Sequence, residues 1–214
     1  MVLTHPHQDH LAGLVEVLRR YRVKQVLHPN LDDDSPLYDE WRSLIEEKDI
    51  KQTVARAGQQ IDLGGGVLIR VLNPQTTLLV DTESDIDNNG VVLRLSAGGI
   101  SFLFTADIRQ EAEWELTRQR ANLASTVLKV AHHGSITSTT PEFLAVADPQ
   151  LAVISAGADN KFGHPSDEVL GRLQQRIDPE NIYRTDRHGT VEFITNGERL
   201  WVRTERPDWQ DSAR

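Results

Sequence analysis

The segment from His5 to His10 constrains this chain more than any other part of the sequence. It places three histidines and one aspartate, His5, His7, Asp9 and His10, within six consecutive residues. Imidazole nitrogens and carboxylate oxygens are good ligands for borderline divalent ions such as zinc and manganese. A polar turn that binds nothing rarely gathers so many of these side chains, so the segment predicts a metal site.

The local geometry of this segment predicts that it begins two metal sites. Pro6 pushes His5 into an extended conformation, and in an extended chain His5 and His7 point to the same side, where they can bind one ion. Apolar residues with helical spacing then follow, so Asp9 and His10 lie on the first turn of a helix. They are offset from the first pair and can hold a second ion beside the first. Two ligands for each ion are too few, so later residues must complete both sites.

Three later places in the sequence offer the missing ligands, each of them directly after an apolar strand. Asp107 ends one such strand and can bridge two cations. His132 and His133 follow the next strand, and one of the two is a candidate ligand. His164 follows a third strand, where it either binds metal or contacts the substrate. Since α/β folds gather their ligands at strand ends, we expect these residues to meet the first segment.

Composition limits the chemistry of such a site. The chain has no cysteine, so every metal ligand must be His, Asp or another oxygen donor. Its net charge of −9 argues against a strongly basic nucleic-acid clamp. A nuclease is still allowed, because two divalent ions bring positive charge to the place where a phosphate would bind. The sequence shows no signal peptide and no apolar run long enough to span a membrane.

The periodicity of apolar residues predicts a single α/β domain over residues 1–214. Helices are predicted at 11–21, 36–48, 109–119, 141–147 and 165–176. Strands are predicted at 23–27, 50–55, 67–72, 91–95, 100–104, 127–131, 151–155, 181–183, 190–195 and 200–203. The three glycines at 64–66 predict a hairpin turn between the strands at 50–55 and 67–72, since no Gly-Lys-Ser/Thr follows them to make a phosphate loop. Residues 73–90 are predicted to form a polar loop.

Five segments of the chain carry a resemblance to a known family. The run His5-x-His7-x-Asp9-His10, within "LTHPHQDHLAGL", resembles the signature of the metallo-β-lactamase superfamily. The later segments resemble the C-terminal domain of the ComEC family of competence DNA-uptake channel proteins: "NNGVVLRLSAGGISFLFTADI", "VLKVAHHGS", "ISAGADNKFGHPS" and "YRTDRHGTVEF". The resemblance covers nearly the whole chain. The signature alone identifies the superfamily, and the later segments narrow it to ComEC-like domains and their soluble relatives.

This resemblance implies an αββα sandwich with a dinuclear centre of zinc or manganese at the edge of its two sheets. The metal motifs correspond here to His5, His7, Asp9, His10, Asp107, His133 and His164, with His133 preferred to His132. Asp9 and His164 are also the candidate catalytic residues, and Ser135, Lys161 and His132 are candidate substrate contacts. The two ions would share a hydroxide as the nucleophile, because a bound divalent ion lowers the pKa of a water towards about 7. In the family this domain is thought to be a nuclease that degrades one DNA strand, so DNA is the implied substrate.

Three departures from the family pattern bear on these expectations. Ala106 stands before the bridging aspartate, where the family usually has glycine. The usual third-motif histidine is absent, and one ion is then short of ligands unless His164 completes it. A row of acidic and amide residues stands in its place: Asp85, Asp87, Asn88 and Asn89. The family also has several strands before the signature, whereas four residues precede His5 here, so we expect a chain that lacks N-terminal strands.

Three functions are open on the sequence. The first is a metal-dependent phosphodiesterase or nuclease that acts on DNA during competence-type uptake. The second is a small-molecule hydrolase of the same superfamily, such as a lactonase or esterase. The third is an inactive fragment whose first sheet is incomplete, since missing strands leave an unpaired sheet edge. A stand-alone chain would be cytoplasmic, whereas a domain that joins a channel portion from the same or a neighbouring gene would lie beside the membrane.

Overall fold

Helices and strands alternate along the chain in a computed structural model, which describes residues 1–206. The helices are α1 (Gln8–Arg20), α2 (Pro36–Glu47), α3 (Asp85–Asn88), α4 (Gln110–Arg118), α5 (Pro141–Ala147), α6 (Asp167–Gln174) and α7 (Thr185–His188). The strands are β1 (Gln25–His28), β2 (Lys51–Val54), β3 (Gln60–Gly64), β4 (Val67–Asn73), β5 (Val92–Ala97), β6 (Ile100–Phe104), β7 (Val127–Lys129), β8 (Leu151–Ile154), β9 (Ile182–Arg184), β10 (Val191–Thr195) and β11 (Leu200–Thr204). Short 3₁₀ turns lie at Ala131–Gly134 and Pro179–Asn181.

The strands form one large sheet and two small ones. The large sheet has the order β3-β4-β5-β6-β7-β8-β9, antiparallel from β3 to β6 and parallel from β6 to β9. One small sheet pairs β1 with β2 in parallel, and Val2 adds a single parallel bridge to Leu27 beside it. The other is the antiparallel hairpin of β10 and β11. Since β6, β7 and β8 are parallel neighbours, the loops after their carboxyl ends meet at one edge of the large sheet.

Three apolar clusters separate the four layers of the molecule. The first joins α1 and α2 to one face of the β1–β2 sheet, through residues such as Leu11, Leu18, Val26, Trp41 and Ile45. The second lies between the two sheets and contains Leu27, Ala55, Val71, Val91 and Leu93. The third joins the other face of the large sheet to α4, α5 and α6, through Leu103, Leu128, Leu116, Phe143 and Leu173 among others. The order of layers is therefore helix, sheet, sheet, helix, which confirms the predicted αββα sandwich.

One predicted strand pairing is wrong. The strand predicted at 50–55 exists as β2, but it pairs in parallel with β1 and does not form a hairpin across the glycines. The glycine turn joins β4 to β3, a strand that the sequence did not predict. Its residues, Gln60 to Gly64, alternate polar and apolar side chains, but the run is short, ends in glycine and is exposed at four of its five positions, so it is a weak signal for a strand. The predicted polar loop at 73–90 also contains the short helix α3.

Most of the remaining predicted elements are confirmed within a few residues at their ends. The prediction for α5 matches its bounds, and Thr140 caps this helix by accepting a hydrogen bond from the backbone N–H of Phe143. The strands predicted at 91–95 and 100–104 form the hairpin of β5 and β6, which turns at Gly98 and Gly99. Within residues 1–206, no helix combines the length and the apolar character that a membrane span requires.

A buried glutamate holds the loop that leads into α5. Glu113 on α4 is fully buried, and its carboxylate accepts hydrogen bonds from the backbone N–H groups of Thr139 and Thr140. Burial raises the pKa of Glu113, and these hydrogen bonds oppose the rise. Thr139 has a positive φ of 59°, a conformation that a β-branched residue adopts only when its surroundings impose it. Glu113 therefore helps to fix this strained turn, together with Arg172, which donates to the carbonyl oxygen of Ser138.

We expect Glu113→Ala to lower the free energy of unfolding by about 2 to 4 kcal/mol, because it leaves two backbone N–H groups without their acceptor. The measurement is urea unfolding followed by circular dichroism. Glu115→Ala on the same helix is the control, since Glu115 pairs with Arg118 at the surface and such pairs contribute at most about 1 kcal/mol. Equal losses from the two variants would contradict the assigned role of Glu113.

Candidate metal centre

The local conformation of the segment from His5 to His10 is the one that the sequence predicts. His7 precedes α1 in an extended conformation, and α1 begins at Gln8, so Asp9 and His10 lie on its first turn. The rings of His5 and His7 lie 4.8 Å apart on the same side of the chain. The segment is buried at His5 and exposed at Asp9, so it runs from the interior to the surface of the site.

Thr4 orients two of these imidazoles. Its Oγ1 lies 3.2 Å from Nδ1 of His5 and 3.2 Å from Nδ1 of His10. Both rings therefore direct Nε2 towards the interior of the site. A hydrogen bond on one imidazole nitrogen fixes the orientation and tautomer of the ring and leaves the other nitrogen for a metal. The sequence offered no reason to single out Thr4 among the threonines.

Asp107 lies at the centre of the arrangement. It follows β6, and only 3 % of the residue is exposed. Its Oδ2 lies 3.1 Å from Nε2 of His10, 3.2 Å from Nε2 of His133 and 4.0 Å from Nε2 of His5. Burial acts to raise the pKa of Asp107, but the hydrogen bonds and charges of His10 and His133 outweigh it and hold the pKa far below its usual range. The carboxylate is therefore ionised at any ordinary pH.

The two adjacent histidines after β7 make different hydrogen bonds. His133 Nδ1 donates to the carbonyl oxygen of Ser155 at 2.7 Å, and its Nε2 lies 3.2 Å from Oδ2 of Asp9. His132 points elsewhere, with its Nδ1 3.2 Å from Oγ1 of Thr137. The geometry thus supports the preference for His133 over His132 as a ligand.

Asp87 is the residue that the sequence left unassigned. It lies on α3, only 1 % of it is exposed, and its Oδ1 is 3.1 Å from Nδ1 of His7 and 3.7 Å from Nε2 of His5. Arg109 holds the other oxygen, with Nε at 2.9 Å and Nη2 at 2.8 Å from Oδ2. The only signal in the sequence was the row of acidic and amide residues at 85–89, which did not distinguish Asp87 from Asp85.

The candidate ligands fall into two groups. Asp9, His10, Asp107 and His133 form one, and His5, His7 and Asp87 form the other, with the ligand atoms of each group within 4.8 Å of one another. Among the described residues, His5 Nε2, Asp87 Oδ1 and Asp107 Oδ1 are buried polar atoms without a hydrogen-bond partner. Leaving such atoms unpaired costs free energy, and a bound cation would satisfy the two carboxylate oxygens and the imidazole together. The donor set of imidazole and carboxylate fits zinc or manganese.

The electrostatics of the two groups differ. His5 has its pKa lowered to about 3, first by burial and then by the neighbouring His10, so it is neutral and ready to coordinate. The nearby carboxylate of Asp87 raises the pKa of His7. Hydrogen bonds with Asp107 and then Asp9 raise the pKa of His133 to about 10, and the contact with His133 lowers the pKa of Asp9 to about 2. In the absence of metal, a proton on His133 therefore balances the two carboxylates.

The loops after β6 and β7 contain residues other than glycine in a left-handed backbone conformation. Ala106, His132 and His133 have positive φ angles of 50°, 48° and 55°. Such strain in residues other than glycine persists only where the surrounding structure imposes it, and it gathers at functional sites. The angle at Ala106 also explains why a glycine is the usual residue before this aspartate. No residue other than glycine fits at position 134, since a Cβ on Gly134 would lie 2.5 Å from Cβ of Pro165.

The remaining predicted site residues border the two groups. His164 belongs to neither group, and its ring lies 6.0 Å from that of His132, so its role as a ligand stays a prediction and its position favours substrate contact. Burial lowers the pKa of His164, and so do His132 and His133. Ser135 is buried in the turn and its Oγ lies 3.0 Å from Oγ1 of Thr137. Lys161 is exposed on the loop that precedes His164.

A family model for the metallo-beta-lactamase superfamily matches residues 1–158 of this chain. The chain belongs to the metallo-β-lactamase superfamily. Members of this superfamily typically bind divalent metal ions, and the two ligand groups are where this chain would bind them. The fold and the histidine motif therefore identify a hydrolase superfamily before any substrate is considered.

The relatives of this metallo-β-lactamase domain include competence proteins. ComE operon protein 3 of Bacillus subtilis is 31 % identical over 193 residues, which cover 90 % of this chain and 24 % of that protein. Competence protein ComA of Neisseria gonorrhoeae is 39 % identical over 114 residues, covering 52 % of this chain and 16 % of that protein. The chain thus spans about a quarter or less of the length of these relatives. Among solved structures, the metallo-beta-lactamase fold protein YhfI of Bacillus subtilis matches with a TM-score of 0.52 at 12 % identity, over 94 % of this chain and 76 % of that one, which supports the fold alone.

The raised pKa of His133 predicts how the metal-free domain responds to pH. Because the folded pKa of about 10 lies above the ordinary value of 6.5, protonated His133 stabilises the fold. This contribution is complete below about pH 6.5 and is lost as the pH rises from there to about 10. In EDTA, we therefore expect the stability difference between the wild type and His133→Asn to shrink between pH 6.5 and 10. Thermal unfolding at several pH values measures it, and a difference that stays constant would contradict the assigned ion pairs.

Proposed function

We propose that this domain is a metal-dependent phosphodiesterase that cleaves DNA. The observation that carries the proposal is the meeting of two ligand groups at Asp107, with buried carboxylate and imidazole atoms that lack partners. Adjacent divalent ions suit the hydrolysis of phosphodiesters, because they stabilise both the attacking and the leaving oxygen. The competence relatives point to DNA as the polymer that carries these phosphates.

Seven residues would hold the two ions. His5, His7 and Asp87 would bind one ion, and Asp9, His10 and His133 would bind the other, with Asp107 shared between them. Zinc or manganese bound there would lower the pKa of a water and offset the negative charge of the phosphate. The ions would also offset the net charge of −9, which otherwise repels a nucleic acid.

The residues around the centre would position the substrate and the attacking water. Asp9 is the most exposed carboxylate of its group, with 62 % of the side chain accessible, so it would accept a hydrogen bond from that water and orient it. His164 and Lys161 lie on the loop after β8 and would donate hydrogen bonds to phosphate oxygens. Ser135 and His132 line the turn between this loop and the centre and would contact the same group. Arg109 would keep Asp87 in place through its two contacts to Oδ2.

The competence relatives also suggest the setting of this activity. If the domain works as part of a DNA-uptake protein, it would act beside a membrane channel portion supplied by the same or a neighbouring gene. Incoming single-stranded or double-stranded DNA would then reach the metal centre as it arrives. This assignment follows from the relatives and not from the geometry of the site.

The test is cleavage of DNA by protein that has been stripped with EDTA and reloaded with manganese or zinc. We expect a fluorescently labelled single-stranded DNA to be cut only after reloading, and Asp9→Asn to slow the cutting. A lactone ester is the competing substrate. Lactone hydrolysis without DNA cleavage would favour the small-molecule hydrolase. Protein that binds two ions and cleaves neither substrate would indicate an inactive domain.

A further inference from the structure

An exposed aromatic ring stands next to the candidate metal centre. Phe162, on the loop between β8 and α6, is 70 % exposed, although burial of a phenylalanine side chain is worth about 1.5–3 kcal/mol. Its ring lies 5.8 Å from that of His164, and the two planes are inclined by only 20°. The phenyl ring therefore extends a stack that His164 begins, and it presents an open aromatic surface to the outside.

Two edge-on ring contacts connect His164 to the candidate ligand His133. The ring of His164 lies 6.0 Å from that of His132, and the ring of His132 lies 6.4 Å from that of His133. Three such steps join His133 to Phe162, so a single strand whose phosphate reaches the centre would bring a base a few nucleotides further along to Phe162.

A cation accompanies the ring. Lys161 Nζ lies 5.3 Å from the centroid of Phe162, and Lys161 is itself exposed. The flexible stem of lysine lets its ammonium group move from the ring to a phosphate that arrives beside it. An aromatic face next to a cation is the pairing that single-stranded nucleic acids recognise, since it accepts a base and its phosphate together.

The loop that carries the ring is fixed by hydrogen bonds. Asn160 Oδ1 accepts from the backbone N–H of His164 at 2.9 Å, and its Nδ2 donates to the carbonyl oxygens of Gly157 and His164, both at 2.7 Å. These bonds close the loop upon itself around Phe162. The aromatic surface is therefore held in position before a ligand arrives, which lowers the entropy lost on binding.

We propose that Phe162 and Lys161 form a stacking subsite for one unpaired base of a single-stranded DNA whose phosphate is bound at the metal centre. The inference rests on the proposed function, and it adds that the preferred substrate is single-stranded. In a duplex each base already stacks on its neighbours and cannot lie on the phenyl ring. A purely protein-binding role for the exposed ring is the main competing explanation.

The chain offers a matched control for this subsite. Trp114 on α4 is 65 % exposed, and the guanidinium of Arg118 lies 5.5 Å from its ring. Trp114 lines a different cavity, of about 820 Å³, in which none of the candidate metal ligands takes part. Trp114 thus matches Phe162 in having an exposed ring beside a cation, but the candidate metal centre is not next to it.

The test is the binding of a nuclease-resistant phosphorothioate oligothymidylate, labelled with fluorescein, to the manganese-loaded protein. We expect Phe162→Ala to weaken binding by about five- to a hundredfold, the range for loss of one stacked base, and Trp114→Ala to leave binding unchanged. Phe162→Trp should restore it, because the indole ring also stacks. An oligomer of abasic sites with the same backbone should bind the wild type and Phe162→Ala equally.

The outcomes separate this inference from the proposed function. Equal weakening of the normal and the abasic oligomer by Phe162→Ala would overturn stacking, and so would unchanged binding of the normal oligomer. Cleavage of a normal DNA by the wild type is measured in parallel. If DNA is cleaved but Phe162→Ala binds normally, the subsite fails and the nuclease stands. If Phe162 is required for binding but no metal condition gives cleavage, the subsite stands and the nuclease fails.

Discussion

Asp107→Asn is expected to remove metal binding and hydrolysis together. The carboxylate of Asp107 is the group within reach of both ligand groups, and the amide of asparagine offers one weak acceptor and no charge. Substitution of partners that merely support a ligand already lowers metal affinity by about 10- to 100-fold, so loss of a shared ligand should lower it by more than about 100-fold. We expect fewer than two ions per chain by mass spectrometry and a comparable or larger loss of activity.

The same variant should also weaken the metal-free fold at neutral pH. Because the pKa of Asp107 in the folded chain lies below its ordinary value, the carboxylate stabilises the fold above that value and loses this contribution as the pH falls. The asparagine side chain cannot make this contribution, so thermal unfolding in EDTA at pH 7 should occur at a lower temperature than in the wild type.

Asp62→Asn is the matched control for both measurements. Asp62 lies on β3 of the same sheet, exposed, where it accepts a hydrogen bond from the backbone N–H of Gly64. Its replacement should leave metal content and activity at the wild-type level. An Asp107→Asn protein that still holds two ions per chain would end the interpretation of Asp107 as the shared ligand.

Asp87→Ala is expected to reduce the metal content from two ions to one. Without the carboxylate, that ion would keep His5, His7 and only a share of Asp107, which lies 4.0 Å from His5, so it should bind too weakly to be retained. The other group keeps all four of its members, so its ion should stay bound. We expect activity to fall by more than about 100-fold, because hydrolysis of a phosphodiester then lacks one of the two cations.

A calorimetric titration with manganese measures the stoichiometry and the two affinities separately. Asp85→Asn is the control, because Asp85 lies on the same short helix but is exposed and binds Thr82 instead of the histidines. Two ions in Asp87→Ala would show that Asp87 is a structural partner of Arg109 and His7 and not a ligand. If Asp85→Asn also binds only one ion, a disturbance of α3 as a whole explains the loss, and the carboxylate of Asp87 does not.

Much of the centre could be predicted because its parts are local. The spacing of His5, His7, Asp9 and His10 acts through neighbouring peptide units, whose extended and helical conformations determine which side chains share a face. Asp107 and His133 stand directly after apolar strands, and parallel strands bring their carboxyl ends to one edge. These relations need no knowledge of distant contacts.

Asp87 and β3 could not be predicted for the opposite reason. Asp87 lies 80 residues from His7, and four acidic or amide side chains compete for its place in the sequence. The contact of its carboxylate with Arg109 and its burial on α3 distinguish Asp87, and both arise only in the folded chain. The residues of β3 alternate polar and apolar side chains over only four positions and are mostly exposed, and pairing with β4 holds them in the sheet.

The histidine motif could thus be recognised from short-range spacing, and the resemblance of five segments to a known family implied the superfamily and the αββα layers. Folding in three dimensions was needed to distinguish His133 from His132 by their contacts and to bring Asp87 to the histidines of the first segment. Both depend on contacts between segments that are distant in the chain, and such contacts cannot be read from neighbouring residues.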